Sequence, residues 1–167
     1  MHIDTVSCVS SATSDIQYSS LFPMPSNLNL PLIVGATLSA AAALMHIGVI
    51  IGGASWYRFF GAGERMARAA ERGKIYPTIV TLLIVAMLAL WSACAFSGAG
   101  LLPQLPLLRS ALCFITAVYL ARGLIIFPMA LFKPAAATPF SWWSSLICLN
   151  FGVVHLWGVA QAWNSLT

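Results

Sequence analysis

Two histidines, His46 and His155, sit inside stretches that are otherwise almost wholly apolar. An imidazole so placed could hold haem or move a proton. It could equally stay neutral and hydrogen-bond a serine or a backbone carbonyl. In helical register Gly35, Ser39, Ala42, His46, Ile50 and Gly53 share one face, and Ser145, Cys148, Gly152 and His155 share another. Such small-residue faces let helices approach closely, as does the Gly48-xxx-Gly52 spacing. Both histidines are therefore expected to face the interior of a bundle, where ligand and haem sites are built. A bis-histidine haem needs both imidazoles at one depth. Counted at 1.5 Å per residue the two rings lie about 10 Å apart along the bundle, a poor fit that leaves the cofactor unknown.

Arg109 and Arg122 bracket the third apolar segment, with about 18 Å of uncharged helix between them. Two readings are open. Each side chain can snorkel to its own interface. Alternatively Arg122 pairs with Glu64 or Glu71 at one mouth of the bundle and Arg109 with Asp15 at the other. Gly61-Ala62-Gly63-Glu64 is glycine-rich but lacks the Lys-Ser/Thr of a phosphate loop. Asn150 and Gln161 are explained by hydrogen bonds between helices. No Ser-His-Asp set, carboxylate pair or metal-spaced cluster is present, so no catalytic group is assigned. None of the four acids lies inside an apolar segment, which weakens proton-coupled transport. The candidate ligand-contacting residues are His46, His155, Trp56 and Trp91, with Arg58, Glu64, Arg109 and Arg122 at the ends.

What must position these residues is a set of membrane spans. Leu30 to Ala54 contains no Asp, Glu, Lys or Arg, and the densest charge cluster, Arg58 to Lys74, follows it. About 20 apolar residues cross a bilayer core. The chain of 167 residues is 60% hydrophobic and 7% charged, with a mean hydropathy of +0.89. Soluble domains carry roughly 25% charged residues. The expected fold is an all-α four-helix transmembrane bundle, with spans over about 31–54, 75–96, 105–127 and 140–163. An interfacial amphipathic helix is expected over about 56–72, its Glu64–Arg68 pair in the favourable i,i+4 order. Residues 1–29 read as a weakly ordered tail, with Met24 an alternative start, and residues 30–167 as one transmembrane domain. The cysteines (Cys8, Cys94, Cys113, Cys148) show no CxxC spacing.

Orientation follows from the basic residues. Arg58, Arg65, Arg68, Arg72 and Lys74 lie in the first loop, and Lys133 lies in the third, with Arg122 nearby. Positive charge stays inside, so both termini are expected outside the cytoplasm of a bacterial inner membrane. The net charge of +4 is spent on this bias and on anionic head groups, not on nucleic acid.

The stretch from His46 through Trp56-Tyr57-Arg58-Phe59-Phe60-Gly61-Ala62-Gly63-Glu64-Arg65 to Ala67 resembles one found in a family of small, uncharacterised bacterial four-helix membrane proteins. Tyr76-Pro77 and Leu105-Pro106-Leu107-Leu108-Arg109 fit the same family, so the resemblance covers residues 40 to 125. It implies no activity. His46, Gly52, Gly53, Trp56 and Arg58 also fit the outline of CopD-like and HemJ-like proteins, which would imply haem or porphyrin handling.

Three functions remain open on these residues. The leading one is a binding or accessory protein that holds a lipid-like ligand or a partner's helices, alone, as a homo-oligomer or in a larger membrane complex. The others are a redox enzyme handling haem or a quinone through His46 and His155, and a small transporter or oligomeric channel.

Overall fold

The structure, a computed structural model, describes residues 28–166. The expected tail lies, but for its last two residues, outside the described residues. Six α-helices follow in order: α1 Leu30–Phe59, α2 Glu64–Glu71, α3 Tyr76–Gly98, α4 Leu108–Leu124, α5 Ile126–Phe132 and α6 Pro139–Ala162. A 3-10 turn, Pro134–Ala136, precedes α6. There is no strand among the described residues. Four stretches are long and apolar enough to cross a membrane: α1, α3, Leu108–Phe132 (α4 with α5) and α6. In each, only 28–33% of the most apolar window is buried. Side chains such as Ile51, Leu83, Phe114 and Trp157 stand fully outside, a surface that needs lipid rather than water. The chain is a small multi-pass membrane protein built as an all-α four-helix bundle.

The helix starts are chemically specified. Asn29 caps α1 by accepting the Leu32 amide through Oδ1 at 2.9 Å, and Thr138 caps α6 by accepting the Ser141 amide. Pro31, Pro77 and Pro139 occupy first turns, where a missing N–H leaves no gap. Asn29 also donates through Nδ2 to the Gly158 carbonyl at 2.9 Å, and its own amide reaches the Ala99 carbonyl. Arg109 donates to the Trp163 carbonyl. The start of α1, the end of α3, the start of α4 and the end of α6 therefore meet at one end of the bundle. Neighbouring spans are antiparallel. The tightest pairs are α1 with α3 and α4 with α6, followed by α1 with α6.

Lipid gives helices little hydrophobic reason to associate, so close fit carries the packing. Buried positions on α1 (Leu32, Gly35, Ala36, Ser39, Ala43) recur at the same spacing on α4 (Leu112, Ile115, Thr116, Tyr119, Gly123). A Cβ on Gly123 would lie 2.7 Å from the Leu149 backbone, and one on Gly158 would meet Leu32.

The helix expected over 56–72 is divided. Its first residues belong to α1, beyond a break at Gly53 (φ 63°, ψ −147°). That conformation is open to glycine alone. Gly61 and Gly63, with φ of 63° and 93°, turn the chain before α2 begins at Glu64. The hydrophobic periodicity from Trp56 onward comes from two separate elements. The third span is likewise two helices, because Leu108–Leu124 ends one residue before Ile126 starts a new turn. Pro128 sits in that new first turn, so it does not stop the span where expected.

Candidate functional site

Two polar clusters stand out, one inside the bundle and one at the end away from the start of α1.

The inner cluster centres on His155, which has no exposed surface. Its Nδ1 lies 2.8 Å from the Phe151 carbonyl, one turn back on α6. A carbonyl can only accept, so Nδ1 carries the proton. Nε2 is buried and has no hydrogen-bond partner among the described residues. The ring lies flat against α1, since a Cβ on Gly35 would come within 2.7 Å of Cε1. Tyr119 sits beside it with ring centres 5.2 Å apart, and Trp91 meets Tyr119 edge-on at 5.1 Å. The Tyr119 hydroxyl bonds Ser39 Oγ at 2.9 Å, and Ser39 donates on to the Gly35 carbonyl. Ser92 donates to the Ala36 carbonyl, which ties α3 to α1. Each span thus contributes to the cluster: Gly35 and Ser39, Trp91 and Ser92, Tyr119, and His155.

The expected small-residue faces are there. Gly35 and Ser39 are buried on α1, as are Ser145, Gly152 and His155 on α6, while His46 and Cys148 are half-buried. The structure brings His155 and Trp91 into one cluster but leaves His46 and Trp56 out of it. His46 Nδ1 bonds the Ala42 carbonyl at 2.7 Å. It lies eleven residues beyond Gly35, so about 16 Å of helix separates it from the His155 contact. Trp56 is exposed and folds back over Gly48 and Gly52. The groove expected between the two histidines is not formed. These residues do not fit a bis-histidine haem: the imidazoles are too far apart in depth, and His155 is walled in by Gly35, Tyr119 and Phe151.

At the end away from the start of α1, Arg58 gathers Glu64 and Glu71. Its Nε and Nη2 donate to both oxygens of Glu64 at 2.9 and 3.0 Å, and Nη1 donates to Glu71 at 2.6 Å. Arg68 adds a contact to Glu64 at 3.2 Å. The Arg58 hydrogen bonds hold both the Glu64 and the Glu71 carboxyl below their ordinary values. Tyr57, buried just before Arg58, bonds Thr81 of α3 at 3.1 Å and anchors this segment to the bundle. The expected pairing of Arg122 with Glu64 or Glu71 is not made. Arg122 donates instead to Ser144 and Ser145 of α6, while Arg58 holds both acids. Arg109 stacks over Trp163 at 4.6 Å and binds that residue's carbonyl. Asp15, its expected partner, lies outside the described residues.

Beside the acid clamp is a hollow of about 590 Å³ lined by Arg65, Arg68, Ala69, Arg72, Lys74 and Tyr76. No carboxylate lines it. A second hollow, about 470 Å³, opens at the start of α1 among Asn29, Ser97, Gln104, Gln161 and Ser165, with no charged residue in its lining. Comparison with protein-family models, with curated proteins and with solved structures gives no match for this chain. The clusters are therefore read from their own chemistry.

Sequence reasoning missed Tyr119. A phenol placed at the middle of an apolar span, in register with Thr116 and Gly123, was the available signal. Arg65, Arg72 and Lys74 were visible as topology markers only. Their convergence on one hollow depends on the turn at Gly73 (φ 66°).

Proposed function

We propose that this chain is a binding or accessory protein of a bacterial inner membrane that holds a lipid-like ligand at its surface, with both termini outside the cytoplasm. One observation carries the reading: the polar interior is filled, neutral and closed, whereas the charged groups gather in an open basic hollow at one end. An enzyme handling haem or a quinone through the histidines would need His155 accessible, and it is sealed. A transporter would need polar groups along a path. Here the buried hydroxyls of Ser39, Thr81, Ser92, Thr116 and Ser145 are each engaged. The resemblance to small bacterial four-helix proteins and the basic bias of the Arg58–Lys74 region support the compartment and orientation.

The test extracts the protein with its surrounding lipid in polymer-bounded discs. Enrichment of one lipid class over the bulk membrane is expected, with no visible absorbance and no ion flux on reconstitution. A Soret band lost in His155→Ala, or a lipid profile identical to bulk, would reject the reading. Orientation is read in a Cys8→Ser background with an impermeant maleimide on intact cells. Asn164→Cys should label and Lys133→Cys should not; the reverse pattern overturns the topology.

A further inference from the structure

The basic hollow has a feature that neither charge count nor topology anticipates. Helix α2 sorts its charges by face. Ala67 is buried against the bundle, with Met66 and Ala70 half-buried beside it. Glu64 and Glu71 share the next face and turn toward Arg58. Arg65, Arg68 and Arg72, spaced i, i+3 and i+7, share the remaining one and line the hollow with Lys74 and Tyr76. Arg58 thus takes up Glu71 and shares Glu64 with Arg68, which leaves Arg65, Arg72 and Lys74 outside the ion pairs. In the segment Arg58–Lys74 five basic residues against two acids leave a net charge of +3, with four of the cations lining the hollow and no acid there.

The surroundings specify the rest of a ligand. Ile75, between Lys74 and Tyr76, is exposed, and beyond it α3 exposes Ile79, Leu82 and Leu83. A molecule whose anionic end enters the hollow can lay hydrocarbon along this face. Guanidinium groups grip phosphate oxygens in pairs, and a lysine adds a point charge. Three guanidiniums with one ammonium exceed what a single phosphodiester can balance. Tyr76 stands where an amphipathic ring marks the level of lipid head groups.

We propose that the hollow lined by Arg65, Arg68, Arg72, Lys74 and Tyr76 binds the headgroup of an anionic membrane lipid carrying two or more phosphate charges. The site rests on the lipid-holding reading above and names its ligand class. Arg58 is the positioning residue: by holding Glu71 and sharing Glu64 with Arg68 it leaves Arg65, Arg72 and Lys74 facing phosphate.

The experiment uses full-length protein in discs of phosphatidylcholine doped with either phosphatidylglycerol or diphosphatidylglycerol, and reads retained lipid by native mass spectrometry. Wild type should retain diphosphatidylglycerol in preference to phosphatidylglycerol. The triple variant Arg65→Gln, Arg72→Gln, Lys74→Gln should lose that retention by on the order of a hundredfold. Its helicity should be unchanged, because all three side chains are exposed. Lys133→Gln, remote from the hollow, should behave as wild type. Equal retention by the triple variant overturns the site and leaves the broader lipid-holding reading standing. Loss of all retained lipid by wild type overturns that broader reading as well. Displacement by soluble pyrophosphate, with pyrophosphate bound equally well in neutral detergent, keeps the phosphate chemistry and overturns the lipid as its source.

Discussion

The two polar clusters solve opposite problems. Around His155, polar atoms lie deep among apolar helices; all but the ring's Nε2 are bonded to near neighbours, and the ring presses against glycine. Around Arg58, full charges remain at the bundle end, exposed and mutually paired. An uncompensated charge in hydrocarbon is heavily penalised, while a neutral hydrogen-bonded group is tolerated. The inner cluster therefore serves packing between helices, and the outer one keeps its charges at the exposed end of the bundle. The difference shows in the glycines. Gly35 is a contact surface, with the His155 ring directly against it. Gly53 and Gly63 have open space around them and serve only to turn the chain.

The contrast breaks hardest at Gly35. Gly35→Val drives two methyl groups into a ring with no room to move, and we expect a loss of about 3 kcal/mol or failure to fold. Unfolding in mixed micelles measures it; wild-type stability would show that the inner cluster is not close-packed. Gly53→Ala should cost about 2 kcal/mol through backbone strain alone. It should also misplace Arg58, so lipid retention falls along with stability, whereas Gly35→Ala should affect stability only. A smaller effect is expected from Tyr119→Phe, about 1 kcal/mol, since a neutral bond to Ser39 is lost. Ser39→Ala should add little in the Tyr119→Phe background. Additive losses in that double-mutant cycle would remove the hydrogen bond from the account.

The gentlest probe is pH. Glu64 and Glu71 titrate below their ordinary range because Arg58 holds them, so their contribution is complete at neutral pH. It fades as pH falls through those lowered values. Acidification should loosen α2, seen as faster hydrogen exchange over residues 64–71, while exchange around His155 on α6 stays slow over the same fall. Loss of both regions together would mean that the clusters are not independent.

Much of the architecture was legible in the chain. Apolar stretches, the third holding only Arg109 and Arg122 toward its ends, placed the four spans close to α1, α3, Leu108–Phe132 and α6, because membrane thickness sets span length and burying charge in lipid is costly. Pro31 marked the first turn of α1, and Gly73 the end of α2. Other features were hidden. The apolar rhythm from Trp56 to Arg72 reads as one helix because periodicity is blind to a single glycine with positive φ. Pro128 reads as a stop because its place in a new first turn depends on the break before it.

The sequence alone determined that this chain lives in lipid, how often it crosses, and which helix faces are small. Those are properties of composition and helical period, available without knowing any neighbour. The tertiary structure decided which polar groups meet. His46 and His155 look alike in the chain, yet one lies against Gly35 beside Tyr119 and the other bonds only its own helix. Likewise Glu64 and Glu71 could have served Arg122, and Arg58 holds them instead. Such pairings depend on the rotation and depth of each helix, and those are set by contact between side chains far apart in sequence.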